Sequence, residues 1–133
     1  MDKLVKGIHH VALKCQGVEA FEKTVRFYRD VLKMDVVRSW GEGTGKGAML
    51  DTGNGVIEIF ADAQDQREQG AIRHFALAVD DVDACAKAVE EAGYRVFVEP
   101  KDAEILSDPV YRIRIAFCIG PVGEEIEFFQ VRE

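Results

Sequence analysis

Apolar and polar residues alternate along this chain in short blocks, and the period of the alternation changes at regular places. Over residues 8–15, Val11, Leu13 and Cys15 fall on one side of an extended backbone, and Ile8, His10, Ala12 and Lys14 on the other. That period of two predicts a half-buried strand. Over residues 19–33 the spacing becomes helical: Phe21, Val25, Tyr28 and Leu32 form one apolar stripe. Val36–Trp40 reads as a strand and 41–47 as a glycine-rich turn, which lacks the Gly-Lys-Ser/Thr ending and following helix of a phosphate loop. Two further strands, 48–51 and Val56–Phe60, flank Thr52-Gly53-Asn54-Gly55, a hairpin signal.

After a polar, linker-like stretch at 62–71 the order begins again. Residues 72–79 read as a strand. Asp80 and Asp81 can cap a helix that carries Val82, Cys85 and Val89 on one face, and Gly93 ends it. Residues 95–99 predict a strand, 100–111 a loop and 112–119 a strictly alternating strand. Gly120-Pro121-Val122-Gly123 is a turn before a last strand, Glu125–Val131. The letters repeat as well: His10-Val11-Ala12-Leu13 returns as His74-Phe75-Ala76-Leu77, and Ile57-Glu58-Ile59-Phe60 as Ile126-Glu127-Phe128-Phe129. The expected fold is α+β, with two tandem βαβββ modules at about 7–61 and about 71–132. Their mixed sheets should curl around a cavity within a single domain, 1–133.

The 133 residues are 47% apolar and 31% charged, enough to bury a core, and the net charge of −7 makes nucleic acid and anionic membrane poor partners. No run approaches the roughly 18 apolar residues of a membrane span. The first seven residues lack the apolar core of a secretion signal. Cys15, Cys85 and Cys118 form no Cys-x-x-Cys pair, which points to reduced, packed thiols and a cytoplasmic protein.

Each module opens with a His on its first strand and closes with a Glu on its last. By parity, His10, Glu58, His74 and Glu127 all lie opposite the bulky aliphatic residues of their own strands. Two carboxylates sharing a cavity need a positive charge to join them. Imidazole with carboxylate suits a divalent Zn, Ni, Co, Mn or Fe(II), and four protein ligands leave about two positions for water or substrate. The plainer alternative is that each Glu is a solvated strand residue and each His is hydrogen-bonded. Parity also groups Arg112 and Arg114 with the cavity face of 112–119, opposite Ile113, Ile115, Phe117 and Ile119. There they would bind a substrate anion, or remain solvated at the strand start. Arg38 and Trp40 share a face, where Trp40 would wall the pocket, fill core or meet another subunit. The same parity turns His9 to the helix side.

At this point the residues resemble a known family. Ile8-His9-His10-Val11-Ala12-Leu13, Phe27-Tyr28-Arg29-Asp30-Val31-Leu32-Lys33-Met34 and Val56-Ile57-Glu58-Ile59-Phe60 match segments of the vicinal oxygen chelate superfamily. So do Arg73-His74-Phe75-Ala76-Leu77-Ala78-Val79-Asp80-Asp81-Val82 and Gly120-Pro121-Val122-Gly123-Glu124-Glu125-Ile126-Glu127-Phe128. This is the glyoxalase/bleomycin resistance/extradiol dioxygenase group. The resemblance is strongest to glyoxalase I, whose His-Glu-His-Glu metal set coincides with His10, Glu58, His74 and Glu127. Two positions depart from the family pattern: Lys33 stands where glycine is common, and Gly120 where aspartate is common.

The resemblance implies a metal-dependent lyase or isomerase acting on a small molecule with adjacent oxygens. Proton transfer next to a carbonyl would pass through a metal-stabilised enediolate. Glu127 is the first choice of base and Glu58 the second, and either can instead be a permanent ligand. The alternatives are a methylmalonyl-CoA epimerase-like enzyme and a non-catalytic small-molecule binding or resistance protein. The resemblance further implies a homodimer.

Overall fold

The computed structural model describes Leu4, residues 7–66 and residues 70–132. The first seven residues and the 62–71 stretch are therefore described only in part, since residues 1–3, 5, 6 and 67–69 lie outside this set. The chain divides into two units, Met1–Gln66 and Arg67–Glu133. In the first, β1 (His10–Lys14) leads to α1 (Val18–Arg26) and a π-helical turn (Phe27–Val31). These are followed by β2 (Val36–Trp40), a 3-10 turn (Gly43–Gly45), β3 (Gly47–Asp51) and β4 (Val56–Phe60). In the second, β5 (Phe75–Ala78), α2 (Val82–Glu91), β6 (Val96–Ile105), β7 (Tyr111–Ile119) and β8 (Glu125–Val131) follow in order. The sheet orders are β1-β4-β3-β2 and β5-β8-β7-β6. In both, the first strand pairs in parallel with the last, and the remaining pairs are antiparallel. The protein is thus α+β, two βαβββ modules with one topology.

Each helix covers one face of its own sheet. In the first unit Ile57 and Ile59 of β4, with Ala48 and Leu50 of β3, are buried, as are Phe21, Thr24 and Val25 of α1. Thr24 is a polar residue in this core. Its hydroxyl donates to the Ala20 carbonyl at 2.7 Å and accepts from the Cys15 thiol at 3.5 Å, so nothing is left unpaired. In the second unit Val82, Ala86 and Val89 of α2 are buried together with Ile126, Phe128, Ala116 and Cys118. None of the three cysteines is joined in a disulfide. Burial pushes the Cys118 thiol up to about 12 and the Cys85 thiol in the same direction, so neither ionises near neutrality.

Two elements differ from the sequence pattern. The stripe over 19–33 predicts one continuous helix, but the α-helical part ends at Arg26 and a π turn follows. Consecutive residues of an α-helix point about 100° apart, so one stripe cannot hold two neighbours. The wider turn shifts the phase and lets Phe27 and Tyr28 both be buried, their rings edge to face at 5.0 Å. The expected loop at 100–111 is a strand for its first half, because β6 runs to Ile105. Pro100 cannot donate a ladder hydrogen bond, yet β6 is an edge strand whose register shifts between Val98 and Lys101, a position that tolerates proline.

The helices end alike with different residues. Gly93 takes φ +91° after α2, and the Tyr94 amide returns to the Val89 carbonyl at 3.1 Å. Lys33 takes φ +62° after the π turn, and the Met34 amide returns to the Tyr28 carbonyl at 3.0 Å. A side chain in the left-handed region costs roughly 1–2 kcal/mol that glycine avoids. Lys33→Gly should therefore stabilise the protein by about 1 kcal/mol after glycine's own entropy loss, read as a higher midpoint in urea.

Candidate metal centre

The parallel strand pairs place one His beside one Glu in each unit. In the first, β1 aligns with β4 so that His10 lies opposite Val56 and Ala12 opposite Glu58. All four share a face, and His10 Nε2 stands 3.3 Å from Glu58 Oε1. In the second, Ala76 lies opposite Glu127. His74, just ahead of β5, reaches forward to place its Nε2 3.3 Å from Glu127 Oε1. The carboxylates are the enclosed members, at 13% exposure against about 40% for each imidazole, so each pair is open on its nitrogen side.

The surroundings of each pair follow from the register. Met49 of β3 lies opposite Glu58, Gly47 opposite Phe60 and Trp40 opposite Gly47. Arg38 pairs with Met49, so Arg38 and Trp40 both belong to the face of Glu58. A side chain at Gly47 would drive its Cβ into the Trp40 ring. The bare glycine is what lets the indole lie over β3 and meet Phe60 at 6.1 Å. In the second unit Phe117 lies opposite Glu127, and Ile115 opposite Phe129. The Phe117 ring sits edge to face against His74 at 5.2 Å and also touches Phe97. This apolar setting pushes the Glu127 carboxyl above its ordinary range. Burial is the larger cause, and the neighbouring His74 opposes it.

Arg112 and Arg114 are not on this face. Arg114 lies opposite Gln130 and Ala116 opposite Phe128, in the row that faces α2. The Arg114 guanidinium is bidentate to Asp83 of α2, at 2.7 and 2.9 Å, and bonds Asp102 of β6 at 3.1 Å. Asp83 is correspondingly held below the usual carboxylate range. Arg112 pairs with Glu104 at 3.4 Å. The alternation of 112–119 is real, but its two faces are the reverse of those expected from parity. The isoleucines face away from the helix, whereas Ala116 and Cys118 are the small residues that let α2 approach, and the arginine beyond them is neutralised by α2 itself. Both arginines are anchored in the scaffold and are not carried forward as substrate ligands.

His9 also departs from expectation. β1 begins at His10, so strand alternation does not extend to His9. Its Nδ1 lies 3.0 Å from His10 Nδ1, with the rings edge to face at 5.2 Å. No sequence signal other than adjacency marks this contact.

The donor chemistry fits a divalent ion. Neutral imidazole nitrogen and carboxylate oxygen are ligands for Zn and its neighbours. Each pair presents one such nitrogen and one such oxygen 3.3 Å apart, and His10 with Glu58 or His74 with Glu127 would hold the ion from these atoms. Within its own unit each pair contributes two such donors, and among the described residues no three or more His, Cys, Asp or Glu side chains gather in metal-holding geometry.

Residues 7–127 match the family model described as Glyoxalase/Bleomycin resistance protein/Dioxygenase superfamily, which spans both units. The chain is 27% identical over 135 residues to the uncharacterized protein YaeR of Escherichia coli (strain K12), covering 95% of this chain and 97% of that one. Among solved structures it is similar to SMU.1112c, with 26% identity, a TM-score of 0.69 and coverage of 96% and 99%. It also shares its fold with a mutant of glyoxalase I from Zea mays, at 20% identity and a TM-score of 0.72, over 90% of this chain and 43% of that one.

The sequence has a single tryptophan, so Trp40 reports on its own position. Gly47→Ala should displace the indole and change the emission maximum of the folded protein. It should also cost about 1–3 kcal/mol in denaturant unfolding, as overpacking does. An unchanged spectrum would show that Trp40 does not lie over Gly47.

Proposed function

The chain belongs to the glyoxalase/bleomycin resistance protein/dioxygenase superfamily, and from that premise we propose that it is a metal-dependent lyase or isomerase of the glyoxalase I type. Members of the superfamily commonly use a divalent metal and act on small molecules. The observation that carries the reading is the duplicated His–Glu pair: two independent units each hold an imidazole nitrogen 3.3 Å from a carboxylate oxygen. We propose that His10, Glu58, His74 and Glu127 together hold one ion. The further readings are a homodimer and, from three cysteines that form no disulfide, a reducing cytoplasmic setting.

When bound, the ion supplies Lewis-acid stabilisation of negative charge on a substrate oxygen. The rest belongs to the side chains. Glu127 is the proposed base: burial raises its proton affinity, which suits a carboxylate that takes a proton from the carbon next to a carbonyl and returns it. Glu58, equally enclosed, is the second candidate. Phe117, beside His74, keeps water from the far side of that imidazole. Trp40 and Phe60 give the Glu58 face an aromatic surface, with Arg38 at its margin as a candidate partner for a substrate anion.

Elemental analysis of the purified protein should find about one divalent ion per chain, since four ligands for one ion exhaust both pairs. Two ions per chain, or none, would defeat the four-ligand assignment. Chelation should abolish turnover of hemithioacetals or 2-substituted acyl thioesters, and metal should restore it. A protein that holds a small molecule without turning it over would show no such dependence. His74→Ala should lower the metal content. Glu127→Gln should retain more metal than His74→Ala while reducing kcat by about 10²–10⁴-fold, the usual contribution of a general base. Equal turnover in that variant would remove Glu127 from the proton transfer.

A further inference from the structure

Both ring nitrogens of His10 are engaged. Nε2 faces Glu58 Oε1 at 3.3 Å, and Nδ1 faces His9 Nδ1 at 3.0 Å. The second unit is built differently: the residue before His74 is Arg73, whose guanidinium can only donate, and the His74 ring is flanked by Phe117. The two histidine nitrogens of the first unit therefore form a contact that the duplicated half does not repeat.

We infer that His9 is a positioning residue for His10, holding its ring by donating to Nδ1 when the metal is absent and by accepting from Nδ1 when Nε2 is a metal ligand. This rests on the metal site proposed above. A neutral imidazole carries one N–H. Without an ion, two acceptors would face each other across the His10–Glu58 gap unless Nε2 carries that hydrogen and donates it to Glu58. Nδ1 is then an acceptor, and His9 Nδ1–H is its donor. To ligate, Nε2 must offer a lone pair, so the hydrogen belongs on Nδ1 and His9 Nδ1 must become the acceptor.

An imidazole makes that exchange by changing its own tautomer, which neither a lysine nor a backbone amide can do. The protons balance. The His10 Nε2 proton leaves to water, the His9 Nδ1 proton passes to His10 Nδ1, and His9 Nε2, on a solvent-exposed ring, takes one from water. Each ring loses one proton and gains one. The hydrogen bond survives the exchange, so the ligand ring keeps its orientation with and without metal, the role that outer partners of metal-bound imidazoles commonly have.

The test uses the full chain with ¹⁵N-labelled histidine, metal-free and with Zn²⁺ added. Long-range ¹H–¹⁵N spectra should show His10 as the Nε2–H tautomer without zinc and as the Nδ1–H tautomer with it. His9 should change in the opposite sense. By calorimetry, His9→Phe, which keeps a ring and removes both nitrogens, should weaken Zn²⁺ binding roughly 10- to 100-fold. His9→Gln, whose amide can donate or accept, should recover most of the loss. A merely structural role would move neither the tautomers nor the glutamine rescue. If His9→Phe binds zinc as tightly as the unsubstituted protein, or if His9 keeps its Nδ1–H in the loaded state, the inference is wrong and the metal site stands. If the unsubstituted protein binds no zinc, the metal site and this inference fall together.

Discussion

Parallel pairing between the first and last strand of each unit is the constraint on which the rest depends. In a parallel ladder, aligned residues share a face, so the register that sets Ala12 beside Glu58 and Ala76 beside Glu127 also decides what the carboxylates can meet. The histidines stand two positions earlier on the same face. The alanines between are small enough for each imidazole to lean across to the acid. A slip of one residue would turn Glu58 and Glu127 into the helix-covered cores and bring Ile59 and Phe128 outward. The buried rows formed by Ile57 with Ile59 and by Ile126 with Phe128 therefore hold the chemistry in place as well as the fold.

Two copies of one frame have been furnished differently. The first presents a tryptophan over a glycine, a phenylalanine and a second histidine to its acid–imidazole pair. The second surrounds its pair with Phe117, Phe97 and a row of isoleucines. In that second unit burial raises the proton affinity of the Glu127 carboxyl.

Much of this was legible in the letters, for identifiable reasons. Strand periodicity, Gly93 as a helix terminator, Asp81 as a cap and the repeated His and Glu positions are local signals, and the structure places those elements where the pattern does. The Asp81 carboxylate indeed accepts from the Ala84 amide at 3.1 Å. What was not legible depends on partners distant in sequence. The π turn exists because Phe27 and Tyr28 both need burial, β6 passes its proline because an edge permits it, and β7 shows which face is which only once Asp83 is known to oppose Arg114. His9 escaped because alternation says nothing about a residue just before a strand.

The bulged passage of β6 bears on how the protein behaves in a crowded solution. A ten-residue strand with a neighbour on one side only is a template on which another chain can add, the usual route to sheet-mediated aggregation. Here Pro100 interrupts the row of donors, the register shifts bend the strand, and Lys101, Asp102 and Glu104 set charge along its second half. Asp102 and Glu104 serve twice, since they also pair with Arg114 and Arg112 of β7. The segment that looks most like a loop in sequence is thus an edge strand that carries the interruptions and charges by which such rims resist added strands.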